Sequence, residues 1–270
     1  MPIDTSSYYP EVPGNDSRED GFSLNKRSGG LLGDTQDTDG KVREPLSPPD
    51  PVPDKKNKDA MQTPTERMAD TVSHILSCIL VPLLMPVYGL MLAFGLSVLD
   101  VAPMGMRVLF TLITAGINVA VPMVMVLLLK KMGFVEDLGL NGRKERLIPY
   151  VISIVCFGVT AWFMSSKGAP IWLSMFFAGG AVAAFVNLII NFKWKISAHA
   201  AGIAGVVALL VKIAKDGSPE PEIFFWLLLT IGLAGLLGSA RVWLGRHTVW
   251  QVLAGYTVGF CSVFLLTMIK

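Results

Sequence analysis

Seven long apolar segments after residue 67 constrain this fold more than any other feature of the sequence. They run over about residues 72–98, 107–130, 148–165, 170–191, 199–214, 222–241 and 248–269. A helix needs roughly 20 mainly apolar residues to cross about 30 Å of hydrocarbon, and these segments are near that length. Because backbone in lipid must satisfy its hydrogen bonds internally, we expect an all-α, polytopic membrane helix bundle of six to seven spans.

The first 67 residues have a different composition. They carry 13 Asp and Glu against nine Lys and Arg, together with nine of the 17 prolines. Proline removes backbone donors, and too few apolar groups are present to offset the entropy of ordering this stretch. We therefore expect a disordered, polar, Pro-rich tail over residues 1–67 and an integral membrane domain over residues 68–270.

Prolines and small residues predict how the spans pack. Pro82 and Pro86 interrupt the first span, which should be kinked. The fifth span is the shortest. Small residues let helices approach closely in lipid, and they recur at Gly179-Gly180-Ala181, Gly232, Gly235 and Gly238.

The charged residues of the membrane domain cluster in three polar islands, residues 130–149, 193–199 and 239–251. Two spans separate the first island from the second, and two separate the second from the third. An even number of crossings returns the chain to the same face, so all three islands should meet on one side of the membrane. Charge at the membrane is costly and therefore often functional.

The islands combine several cations and a serine hydroxyl with His199 and His247, and contain few carboxylates. Such a pocket suits an anion, and guanidinium groups bind phosphate oxygens in bidentate fashion. One neutral imidazole could attack phosphorus while the other protonates the leaving alkoxide. A magnesium site would demand carboxylate clusters, so we expect no metal or other cofactor, and the low charge, 16% of residues, excludes a nucleic-acid partner.

Local spacing supports this chemistry. Gly245 allows a break between Arg241, which closes one span, and His247, which opens the next. Gln251 lies four residues after His247, on the same helical face. Gln251 could therefore accept a hydrogen bond from one imidazole nitrogen and fix the tautomer that frees the other.

The islands resemble the three motifs of the type-2 phosphatidic-acid phosphatase superfamily, which includes the lipid phosphate phosphatases. The family pattern is Lys, six residues, Arg-Pro; then Pro-Ser-Gly-His; then Ser-Arg, five residues, His, three residues, Asp. Arg241, five residues, His247 reproduces the core of the third motif, and Ser197-Ala198-His199 reproduces the Ser-x-His of the second. Arg146-Leu147-Ile148-Pro149 is a loose echo of the first. The resemblance spans about residues 130–260.

The resemblance implies a metal-independent phosphatase that hydrolyses a lipid phosphate or pyrophosphate through a phosphohistidine intermediate. It implies that His247 is the nucleophile and His199 the general acid. The phosphate-binding residues would be Arg241, Arg146 and Ser197, and we place Lys144 and Lys195 nearby as additional cations. We expect a divergent, bacterial-type member in the cytoplasmic (inner) membrane, with a lipid phosphate substrate and membrane lipids as its partners.

Departures from the pattern motivate an alternative. The motif lysine is replaced by Gly139, the second motif lacks its Pro and Gly, and Gln251 stands where the family has Asp. An amide can orient an imidazole but cannot stabilise an imidazolium. The alternative is a catalytically weakened or inactive member that binds an anionic lipid or partner. A transporter has less support, since no internal repeat is evident.

Two further features leave the orientation open. Nine basic residues lie on the island side against five on the other, which favours a cytoplasmic tail and islands. The family, however, usually places its site on the extracytoplasmic face.

Trp194, Trp243 and Trp250 flank the islands and most simply mark the interfacial belt. His74 is interpreted as a packing or interface residue.

Overall fold

The computed structural model describes residues 63–133, 146–217 and 221–269. Within these ranges the chain is helical and has no strand. The described residues exclude residues 1–62 of the expected tail. They also exclude residues 134–145 of the first island, which contain Lys144 and Gly139. The helices are α1 (Pro64–Ile79), α2 (Met85–Leu96), α3 (Met104–Ala115), α4 (Val121–Lys131), α5 (Leu147–Ser166), α6 (Ile171–Asn191), α7 (Ala198–Lys215), α8 (Ile223–Trp243) and α9 (Val249–Thr267).

In the part of the chain that the structure describes, seven helical segments are long and apolar enough to cross a membrane, which confirms the all-α, polytopic bundle. The first consists of α1 and α2, the second of α3 and α4, and the other five are single helices. Helical structure starts at Pro64, inside the stretch expected as tail. The side chain of Thr63 caps the helix and Glu66 completes the capping box, which together favour an early start.

The first span is broken at Pro82, which confirms the predicted kink. The residue before a proline is disfavoured in the helical region, and Val81 is extended with φ −65° and ψ 142°. Helix α1 ends just before this point, and a short 3₁₀ turn over Pro82–Leu84 leads into α2.

The second span contains an irregularity that the sequence did not indicate. Helices α3 and α4 are joined by a π-helical segment over Gly116–Ala120, followed by Pro122. Asn118 lies in this segment with only 3% of its surface exposed. Single π turns inside α-helices frequently occur at functional sites.

Helix α7, the shortest predicted span, is the centre of the bundle. Two thirds of its residues are buried inside the bundle, a larger share than in any other span described. Ile203, Leu209 and Leu210 on this helix are almost wholly enclosed. Since α7 begins with the second island, the core of the fold directly supports that island.

Helix α9 approaches α7 very closely at two glycines. A Cβ atom at Gly259 would overlap the carbonyl group of Ala201, and one at Gly255 would lie 2.5 Å from the carbonyl oxygen of Ser197. The two positions form a G-x-x-x-G pair, the spacing that lets helix backbones meet in lipid. This contact clamps the helix that follows the third island against the helix that follows the second.

Close helix packing was predicted at several glycines, and the structure shows it at some of them only. Gly179 contacts Val263 on α9, and Gly238 contacts Tyr256 on the same helix, so close packing is confirmed there. A Cβ atom at Gly232 or Gly235 would meet no other helix or side chain of the described residues within 4 Å, so the packing role predicted for these two glycines is wrong. Both glycines lie on an exposed face of α8.

Candidate active site

Each of the three islands ends where a helix begins. Arg146 immediately precedes α5, Ser197 is the N-cap of α7, and Thr248 is the N-cap of α9. A helix N-terminus carries unsatisfied N–H groups and roughly half a positive charge, and it is a ready anion site. The site therefore combines three positive helix ends with the cationic side chains.

Hydrogen bonds to main-chain carbonyl groups join the islands on one face, as the parity of the spans predicts. The Arg146 guanidinium donates through Nη1 to the carbonyl oxygen of Ile196 at 3.5 Å. The main-chain N–H of Ser197 donates to the carbonyl oxygen of Gln251 at 3.2 Å. The first island thus reaches the second, and the second is bonded to the start of α9.

His247 is placed by a tight reversal of the chain after α8. Gly245 has φ +62°, a conformation that side-chain-bearing residues rarely adopt. The main-chain N–H groups of Arg246 and His247 then both donate to the carbonyl oxygen of Arg241, at 3.1 and 3.3 Å. The break predicted at Gly245 is present, and it leaves His247 only 6% exposed.

Gln251 contacts the His247 imidazole in a way that selects one tautomer. The Gln251 Oε1 atom accepts the main-chain N–H of Thr248 at 3.3 Å, which identifies it as the amide oxygen. The same oxygen lies 3.2 Å from Nδ1 of His247. Since a carbonyl oxygen only accepts, Nδ1 carries the proton and Nε2 keeps a free lone pair.

The surroundings keep the His247 imidazole uncharged. Burial is the main effect, and the positive charges of Arg146, Arg241 and Lys195 add to it, so that the pKa of His247 falls to about 3. The hydrogen bond with Gln251 works weakly in the other direction. A neutral imidazole with a free Nε2 is the nucleophilic form of histidine.

His199 is held by a residue that the sequence did not suggest. Its Nε2 atom lies 3.2 Å from the main-chain carbonyl oxygen of Ser77 on α1. Arg241 and Arg146 are close enough for their charges to act on this imidazole. Only the break at Pro82, which ends α1 and leaves late carbonyls without helical donors, hints at such a contact.

Arg241 has a buried donor without an acceptor in the described part of the chain, and Lys195 lies close to other positive charges. The Nε atom of Arg241 is buried and has no hydrogen-bond partner among the described residues. Burial and the nearby charges of Arg146, Arg241 and Arg246 lower the pKa of Lys195. An anion bound here would relieve both the crowding and the missing acceptor. Arg246 is a further cation to which the sequence assigned no role.

The remaining predicted residue, Ser197, is wholly buried. Its Oγ atom accepts the main-chain N–H of Ala200 at 3.3 Å, and its own hydroxyl hydrogen remains available to donate. Within the described ranges, no group of three His, Cys, Asp or Glu side chains is placed to hold a metal ion. The tryptophans Trp194, Trp243 and Trp250 are 40–74% exposed around this face, as expected of an interfacial belt.

Comparison with known families identifies the region that carries most of this site. Residues 181–270 match the family model described as the PAP2 superfamily. The chain belongs, through this region, to the PAP2 superfamily. The match begins within α6 and includes Ser197, His199 and Lys195, together with all of the third island.

The PAP2 match covers the last third of the chain, and two contributors to the site precede it. These are Arg146 and the carbonyl group of Ser77. No curated protein and no solved structure matches the chain. With seven helical segments long and apolar enough to span a membrane among the described residues, the chain is a multi-pass membrane protein of a phosphatase superfamily.

Proposed function

We propose that this protein is an integral-membrane phosphatase that hydrolyses a lipid phosphate or pyrophosphate through a phosphohistidine on His247, without a metal. The observation that carries the proposal is the state of His247. It is buried, uncharged and protonated on Nδ1, with three cations around it. A phosphoryl group placed among those cations faces a nucleophile that already has its lone pair.

In the first step, the Nε2 lone pair of His247 attacks phosphorus and a P–N bond forms. The P–O bond to the lipid breaks, and its electron pair leaves with the lipid oxygen. The lipid phosphate binds as a monoanion and passes its proton to Nδ1 of His199, which then donates that proton to the leaving oxygen and releases a neutral lipid alcohol. Because Nε2 of His199 donates to Ser77, the proton for the leaving group comes from Nδ1.

In the second step, water attacks the phosphohistidine. Nδ1 of His199, now unprotonated, accepts a proton from that water, the P–N bond breaks, and inorganic phosphate leaves. Charge builds on the phosphoryl oxygens in both steps, and Arg146, Arg241 and the start of α7 would stabilise it. Ser197 can donate its hydroxyl to one of these oxygens.

A lipid substrate suits the position of the site. The islands connect membrane-spanning helices and are bordered by exposed tryptophans at the interface. A phosphate head group would lie at this level while its apolar part stays in the hydrocarbon. We further propose that the membrane is the bacterial cytoplasmic membrane, on the resemblance to bacterial-type members.

A second candidate function rests on Gln251. The amide holds the Nδ1 proton of His247 but has no negative charge to stabilise the phosphorylated or protonated imidazole. A protein that binds a lipid phosphate or other anionic partner without turnover would keep the cations and tolerate this exchange. The two candidates share a binding site and differ in whether phosphate is released.

The deciding experiment is phosphate release by the purified full chain in detergent with excess chelator. The panel contains dioleoyl phosphatidate, a phosphatidylglycerol phosphate and a polyprenyl diphosphate. We expect release from at least one lipid, and a loss of roughly 10³-fold or more in His247→Ala and His199→Ala. His74→Ala, at an exposed position of α1, is the matched control and should keep wild-type rates.

Mass spectrometry of quenched turnover mixtures should locate an alkali-stable phosphoryl group on His247. Release that survives loss of both histidines would reject the catalytic assignment. Saturable binding of the same lipids, with no release from any of them, would favour the second candidate instead.

A further inference from the structure

A partly open cavity of about 100 Å³ lies in the bundle beside the candidate active site. Its walls come from both breaks in the first two spans and from α5, α6, α7 and α9. Ala198, the residue between Ser197 and His199, forms part of its wall. The cavity thus borders the second island and extends into the bundle beneath it.

Both interrupted spans face this cavity. Pro82 and Pro86 line it at the break between α1 and α2, while Asn118 and Pro122 line it at the π-helical segment. Non-helical backbone within a membrane is tolerated where it is buried in protein or lines a cavity, and in transporters such breaks mark binding sites. The two irregularities therefore point to one functional space.

An unpaired carbonyl oxygen of Asn118 is directed into the protein at mid-span. The Nδ2 group of Asn118 donates to the Thr114 carbonyl at 3.1 Å and to Thr160 Oγ1 at 2.7 Å. Thr160 Oγ1 accepts this hydrogen bond because its own hydrogen goes to the Cys156 carbonyl. The amide orientation is thereby fixed, and Oδ1 is left buried with no partner in the described residues.

Two more cavity residues carry buried polar atoms without partners among the described residues. They are the hydroxyl of Tyr150, 8% exposed, and Oδ1 of Asn187, 3% exposed. Tyr150 is the fourth residue of α5, and Asn187 lies about one turn before the end of α6, so both are close to the island face. Unpaired polar atoms in a membrane interior are costly, which indicates an occupant that pairs with them.

The chemistry of the lining selects the occupant. Two carbonyl oxygens require a hydrogen-bond donor, and the other walls are mainly apolar, including Met85, Phe157 and Phe176. Among the described residues, no charged side chain lines the cavity. A phosphate dianion would be unstable there, whereas a neutral, apolar molecule with a hydroxyl group fits both kinds of wall.

We infer that this cavity binds the hydroxyl-bearing end of the lipid alcohol that remains after dephosphorylation. The inference rests on the proposed function, because that reaction turns an anionic lipid into a neutral alcohol beside Ala198. Tyr150 and Asn187 would meet the hydroxyl near the face, and Asn118 provides a second acceptor at mid-span. The alcohol would then leave the cationic islands without first returning to the bulk lipid.

The test uses photoactivatable lipids and the full chain in phosphatidylcholine nanodiscs, without substrate. One probe is a diacylglycerol with a diazirine in its acyl chain, and its matched control carries a methyl ether in place of the hydroxyl. A second pair is built on geranylgeraniol and its methyl ether. We expect at least one alcohol to label α5, α6 or α7 at the cavity about three- to tenfold more than its ether, as one hydrogen bond predicts.

Substitutions assign the effect to the named atoms. Tyr150→Phe combined with Asn187→Leu should remove the preference for the alcohol and leave labelling by the ether unchanged. Tyr88→Phe is the matched control, because the Tyr88 hydroxyl bonds the Ile79 carbonyl and the residue does not line the cavity. It should retain the full preference.

Equal labelling by alcohol and ether in the wild type, or labelling only outside the cavity, would overturn the inference. Equal labelling would mean that water, rather than a lipid hydroxyl, pairs with these atoms. Because the wild-type comparison involves no turnover, it is independent of phosphate release. A preference for the alcohol with no phosphate release would refute the proposed function alone.

Discussion

The Nε2 atom of His199 lies 3.2 Å from the main-chain carbonyl oxygen of Ser77, 122 residues earlier in the chain. A carbonyl oxygen can only accept, so this contact protonates Nε2 and leaves Nδ1 of His199 for chemistry. Ser77 can make the contact because α1 ends at Ile79 and Val81 turns away ahead of Pro82. In a continuous helix, the N–H of Val81 would occupy that carbonyl.

Pro82→Ala should therefore reduce activity through His199. Without the proline, Val81 can become helical and compete for the Ser77 carbonyl. We expect kcat to fall by about tenfold, the effect of losing one hydrogen bond in a buried site, with a smaller change in KM. Nitrogen-15 spectra of His199 should show a mixture of tautomers. Pro103→Ala, at the start of α3, is the control, and unchanged spectra in Pro82→Ala would refute this explanation.

Gln251→Glu should increase turnover. Glutamate keeps the capping box with Thr248 and adds a negative charge at the atom that faces Nδ1 of His247. The charge stabilises the imidazolium and the phosphoimidazole. The equivalent exchange in serine proteases changes turnover by ~10⁴-fold, and we take this as the upper limit of the increase. Gln251→Leu should instead lower the rate. A rate that is equal in all three proteins would show that Nδ1 needs no partner.

The buried state of His247 predicts how stability varies with pH. The pKa of His247 is about 3 in the folded protein, below its usual value near 6.5 in an unfolded chain. Between these values the unfolded chain binds more protons, so the free energy of unfolding rises with pH across that window. Above it, the contribution of His247 no longer changes. His247→Gln should show a shallower acid dependence of its unfolding midpoint in detergent, and His74→Gln should follow the wild type.

The close approach of α7 and α9 predicts opposite effects of the same substitution at two glycines. Gly259→Ala adds a Cβ against the Ala201 backbone and should lower the unfolding midpoint and the activity together. Gly235→Ala adds a methyl group in open space, where alanine is favoured by about 1 kcal/mol over glycine in a helix. It should leave the midpoint unchanged or raise it. Equal effects at both positions would disprove the clamp.

Arg241→Lys tests the buried guanidinium nitrogen. Arg241 Nε has no partner among the described residues, and lysine keeps the charge but loses this fixed donor. We expect weaker binding of inorganic phosphate by about tenfold, measured by calorimetry. Arg107→Lys is the control, since Arg107 lies near the start of α3, away from the islands, and its Nε donates to the Ala102 carbonyl. An unaltered affinity would place the phosphate elsewhere.

Much of the architecture follows from local sequence patterns. Hydropathy locates the spans because lipid demands an uninterrupted apolar surface, and span parity alone indicates that Arg146, Ser197 and His247 share a face. The spacing of His247 and Gln251 predicts their contact because a helix brings residues four apart together. The roles assigned to these residues in catalysis remain predictions.

Other features depend on which helices are neighbours, and no local pattern specifies that. The contact of His199 with Ser77 involves a main-chain atom, which has no residue type to recognise. Gly232 and Gly235 have the composition of a packing surface but lie on an exposed face of α8. Gly255 and Gly259 were the informative pair, and their four-residue spacing was a usable signal.

The amino-terminal helices also limit how far the region that matches the PAP2 model can act alone. A polypeptide restricted to residues 181–270 would contain both histidines, yet it would lack the Arg146 guanidinium and the acceptor for His199. If His199 transfers a proton as proposed, substitutions in α1 or around Pro82 should change that transfer without altering a motif residue. Relatives with identical motifs but different leading helices need not share a rate or a pH optimum.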